Sequence, residues 1–106
     1  MLSNQTQQLL DVLAEQLQAV QLWSSVEPSH EALSSQAPFA CDSMPFEMWL
    51  QFIFIPKMKQ LIEKRLPLPT SMAITPMAEQ VWSDMPRYQN VIRVIQQLDD
   101  LLNVPR

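Results

Sequence analysis

Between Met48 and Ile55 the chain carries apolar side chains around the whole circumference of a helix. At 100° per residue, Met48, Trp49, Leu50, Phe52, Ile53, Phe54 and Ile55 point in every direction, and only Gln51 interrupts the ring. A surface helix is normally apolar on one stripe. This segment must therefore be enclosed by other helices, or keep one face for another molecule. Pro45 and Pro56 bracket the run, which is too short to span a bilayer and is followed at once by Lys57 and Lys59.

The remaining pattern predicts helices around this one. Leu9, Leu10, Leu13, Leu17 and Val20 follow i, i+3, i+4, i+7 spacing, with Thr6 extending the stripe backwards. They predict a one-sided helix from Asn4 to Trp23, capped by Ser3. Residues 24–44 are rich in Ser, Pro and Ala and show no sustained period. A single turn over 28–33 and an ordered loop docked through Phe39, Cys41 and Met44 are expected there. The second helix should start at Met44 or Pro45, capped by Asp42 or Ser43, kink at Pro56 and reach Arg65. Leu66-Pro67-Leu68-Pro69 then ends it, because a residue before proline avoids the α region. Thr75-Pro76 reads as a cap and first helical position for a short helix over 76–83. Asp84-Met85-Pro86 repeats that signal before a fourth helix over 86–103, with Tyr88, Val91, Ile92, Ile95, Leu98 and Leu102 as its buried stripe. The expected fold is one all-α domain over residues 1–106, an antiparallel helical bundle or array of about four helices around a Pro-kinked central helix.

Composition narrows the chemistry. The 106 residues contain no Gly and nine Pro. Phosphate-cradling loops and dinucleotide folds need glycine for tight turns and close backbone approach, so a nucleotide-binding α/β enzyme is excluded. Net charge is −4 and the pI 4.7, which disfavours tight unaided binding to nucleic acid. The one basic cluster is Lys57, Lys59, Lys64 and Arg65, read as a solvated face or as contacts at the margin of an RNA. With one Cys, Cys41, no intramolecular disulfide can form. Residues 1–8 lack the basic and apolar regions of a signal peptide, so the expected location is cytoplasmic.

Catalytic constellations are missing from this reading. His30 and Cys41 are the only pair that suggests nucleophilic chemistry, and neither falls on a predicted rigid element. One His and one Cys do not provide a metal-ligand set. Asp42 and Asp84 sit where N-caps belong, and Asp11, Asp99 and Asp100 are assigned to solvated helix faces. No catalytic residue, metal or cofactor is expected.

The run from Trp49 through Pro56, Lys57 and Met58, followed by Leu66-Pro67-Leu68-Pro69, resembles the hallmark of the YqcC-like family of small bacterial proteins. Phe39, Asp42 and Met44 resemble the family's approach to that helix, and Trp23 and Pro28 its exit from the first. The resemblance implies an all-α fold and supplies no catalytic residue. It also implies a link to tRNA modification, because the family's genes are often found beside that of tRNA pseudouridine synthase C. A synthase domain itself needs an Asp in a mixed α/β fold above a basic cleft, which this acidic helical chain does not resemble.

The resulting expectation is a non-enzymatic accessory or interaction protein that contacts tRNA pseudouridine synthase C, a homodimer being a further possibility. Its contact surface is placed at Phe39, Met44, Met48, Phe52 and Ile55, with Trp49 as the anchor of the core. The alternative is a small-molecule-binding helical domain with an apolar pocket between the central helix and the 24–44 loop.

Overall fold

Four leucine-spaced positions decide the first helix. The structure, a computed structural model, describes residues 2–36, 38–40, 43–69 and 72–103. Helix α1 spans Leu2–Ala19 and buries Thr6, Leu10, Leu13 and Leu17 completely. It starts earlier than expected, so Ser3 lies inside it and is no cap. It also stops short of Trp23. Gln21 takes the left-handed conformation (φ 64°), the Leu22 N–H donates to the Leu17 carbonyl at 2.8 Å, and the Gln21 N–H donates to that of Gln18 at 3.1 Å. This Schellman arrangement satisfies carbonyls that the last turn would leave orphaned.

The long loop holds a short helix, α2, His30–Leu33, where the single turn was expected, and a 3₁₀ turn, Pro38–Ala40. Ser29 caps α2, its Oγ accepting from the Ala32 N–H at 3.1 Å. Ala32, Ala40 and Met44 form a small apolar cluster against Met48, Trp49 and Ile53. Ser43 does not cap the next helix; its Oγ donates to the carbonyls of Ala32 and Ala40. Cys41 and Asp42 lie outside the described residues.

The central helix is continuous over 46–63 but not uniform. It comprises α3, Phe46–Trp49, a π-helical turn, Leu50–Phe54, and α4, Ile55–Glu63. Pro56 has no N–H for the Phe52 carbonyl, and its ring presses on that turn. The chain answers by widening: the Ile55 N–H donates to the Leu50 carbonyl, five residues back. The expected kink thus takes the form of a π-turn, and the helix runs on. Pro45, without a side-chain cap, precedes it. A second Schellman arrangement ends it, with Arg65 at φ 56°, Leu66 N–H on the Leu61 carbonyl at 2.8 Å and Arg65 N–H on that of Ile62 at 3.1 Å.

Helix α5 spans Thr75–Val81. A 3₁₀ turn, Pro86–Tyr88, leads into α6, Gln89–Leu102. The chain is all-α, and no strand occurs among the described residues. One core joins Leu10, Leu13 and Leu17 to Leu50, Phe54 and Met58 of the central helix, and to Val91, Ile95, Leu98 and Leu102 of α6. Ala78 and Trp82 close it from the α5 side.

Loops are tied to this core by polar side chains placed on helices. Gln51, the lone polar residue of the apolar ring, is buried and pairs twice with Ser24. Its Oε1 accepts from the Ser24 N–H and its Nε2 donates to the Ser24 carbonyl, both at 2.8 Å. Asp99 is buried too, 5% exposed, which overturns its assignment to a solvated face. Its Oδ2 accepts from the N–H of Ile74 at 3.1 Å, the N–H of Thr75 at 2.8 Å and the Oγ1 of Thr75 at 2.6 Å. Thr75 therefore does not cap its own helix; a carboxylate from α6 does, against the positive end of the α5 dipole. One turn later, Asn103 accepts from the Met72 N–H and donates to the Met72 carbonyl. Asp84 is exposed at φ 59° and caps nothing, since Met85 precedes the 3₁₀ turn without a side-chain bond.

Two outcomes follow for stability. Asp99→Asn should cost about 2–3 kcal/mol, because the amide turns a donor toward one of the donors the carboxylate now satisfies. Urea unfolding checks this, and an unchanged midpoint would mean that these bonds are replaceable by water. Arg65→Gly should stabilise by about 1 kcal/mol, since glycine has no Cβ to clash in the left-handed region. A lower midpoint for that variant would show that the arginine stem contributes more than the backbone strain costs.

Candidate functional site

The surface expected from the sequence is divided by the structure. Met44 and Ile55 are interior, 7% and 5% exposed. Met48 and Phe52 are half-buried, and Met48 packs on the small cluster beneath the loop. Phe39 is half-buried against two rings, at 6.0 Å from Phe46 and 4.9 Å from Trp49. Residues 48, 52 and 55 therefore do not form one open stripe. The π-turn is the physical reason, because its extra residue rotates Ile55 inward relative to an ideal helix.

Trp49 is half-buried and belongs to a ladder of rings rather than to the deepest core. Its ring stacks between Phe46 (5.9 Å, 11°) and Phe54 (5.5 Å, 20°), and Phe39 meets it edge-on. The ladder continues from Phe46 to Trp82 at 5.2 Å and from Trp82 to Tyr88 at 5.5 Å, with the Arg87 guanidinium over Tyr88. Such contacts add to burial energy through ring quadrupoles.

Beyond Trp49 lies an open groove of about 330 Å³ between the central helix and Pro69, Met72 and Ile74. Trp49, Ile53, Lys57 and Leu61 form one wall, and Pro69 and Met72 face them. Phe54, Met58 and Ile74 make the floor. Sequence reasoning expected a pocket beside this helix but on the side of the 24–44 loop. That side is filled by Ala32, Ala40 and Met44. A larger, shallower groove of about 580 Å³ runs between α1 and α6, with Leu9, Val12 and Leu101 at its base and Gln5, Gln97 and Asp100 at its rim.

The basic cluster is also divided. Lys59 pairs with Asp11 at 3.1 Å across to α1. Lys57, Lys64 and Arg65 are exposed. Lys57 stands on the helix, whereas Lys64 and Arg65 lie beyond its end at Glu63. His30 is exposed on α2. Among the described residues no group of three or more His, Cys, Asp or Glu could hold a metal ion, and no helix is long and apolar enough to cross a membrane.

Residues 5–101 match the DUF446 family, described as tRNA pseudouridine synthase C. The chain belongs to this family. An uncharacterized protein of Haemophilus influenzae is 37% identical over 100 residues, 94% of each chain. YqcC of Escherichia coli is 32% identical over 93 residues, 87% of this chain and 85% of that one. The solution NMR structure of E. coli YqcC superposes with a TM-score of 0.86 at 29% identity, covering 96% of this chain and 88% of that one. A Pectobacterium carotovorum protein named tRNA pseudouridine synthase C is 40% identical over 68 residues. That stretch is 64% of this chain and 18% of the Pectobacterium protein. The helical fold implied by the family resemblance is the fold observed.

Trp49→Ala tests the ring ladder. A cost of about 2–3 kcal/mol is expected, below the range for a fully buried aromatic because one edge of the indole faces the groove. Calorimetric unfolding measures it, and a loss beyond about 4 kcal/mol would return Trp49 to the deep core.

Proposed function

We propose that this chain is an accessory domain that performs no chemistry itself and acts by docking against a tRNA pseudouridine synthase. The observation that carries this reading is the Pectobacterium protein named for that enzyme. Its region similar to this chain is 18% of its length, so a much longer polypeptide is joined to it. Covalent linkage holds two bodies at high effective concentration, which is useful where they act on each other. Where the two bodies are separate polypeptides, a docking surface takes the place of that linkage.

The chemistry of this chain supports the docking reading over catalysis. Asp99, the buried carboxylate, is committed to the first turn of α5. The groove beside Trp49 contains one ionisable side chain, Lys57, and otherwise apolar groups. General acid–base work needs convergent titratable groups, whereas an apolar groove suits association.

The test uses purified chain and purified tRNA pseudouridine synthase C from the same bacterium, with unmodified tRNA as substrate. Co-elution of the two proteins and a changed kcat/KM of the synthase on adding the chain are expected, with no pseudouridine formed by the chain alone. Separate elution with unchanged kinetics would overturn the reading. So would turnover by the chain alone that one Asp→Asn substitution abolishes.

A further inference from the structure

We draw no further inference here: the strongest candidate, the shallow groove between α1 and α6 with Leu9, Val12 and Leu101 at its base, is an unpartnered face edged by glutamines and Asp100, and nothing in the structure shows what covers it.

Discussion

The Asp99 carboxylate holds the C-terminal half of the molecule in register. It sits inside the core on α6 and reaches across to the chain where α5 begins. A buried carboxylate is costly unless its oxygens are fully engaged. Here the cost is offset by backbone N–H groups that a seven-residue helix leaves unpaired at its start, together with a hydroxyl. The helix in turn needs the carboxylate, since none of its own residues caps it. Asn103 extends this bracket by one turn and clamps Met72. The 72–74 segment, which has no regular structure to hold it, becomes a defined wall.

Gln51 does for the first half what Asp99 does for the second. Its amide reproduces the donor and acceptor of a neighbouring peptide and receives Ser24 as a strand would. All three stitches join a helix to a chain segment more than twenty residues away in sequence. They act where turns without glycine give little local definition. The absence of glycine is felt directly at Gln21, Phe39, Ala40, Arg65 and Asp84, which all adopt positive φ. Each costs roughly 1 kcal/mol against a glycine. The chain keeps helix ends that require the left-handed conformation and tolerates the strain, because paired backbone hydrogen bonds hold the turns at Gln21 and Arg65.

These interactions explain what could be read in advance. Helix positions were legible because apolar spacing is local and repeated, as in Leu10, Leu13 and Leu17. The end of the central helix was legible from Leu66-Pro67-Leu68-Pro69, where proline restricts the residue before it. Asp99 was misplaced although its position carried a signal: it lies four residues after Ile95 and three before Leu102, on the buried stripe. A carboxylate there needs partners, but spacing along one helix does not say which chain segment supplies them. The candidate surface is divided for a related reason. An ideal helix projects residues 48, 52 and 55 together, whereas the π-turn before Pro56 changes the projection midway. Full enclosure and an open groove were both compatible with the apolar ring. The positions of Pro69, Met72 and Ile74 decide between them, and no periodic pattern marks those residues.

The same polar ties set how rigid the groove beside Trp49 is. A groove between two helices with flexible side chains must be ordered on binding, and the lost freedom reduces affinity. Here one wall is a continuous helix whose Trp49 ring is held between Phe46 and Phe54. The other is fixed through Asn103 and Asp99 to the rigid body of α6. Neither wall needs its backbone to find new hydrogen bonds. The adaptable parts of the lining are Met58 and Met72, whose unbranched side chains change shape without moving the chain. The polar residues that stabilise the fold thus also keep the apolar groove open. Removing them would free Met72 and Ile74 from α6, so the groove would lose its second wall as the core loosens.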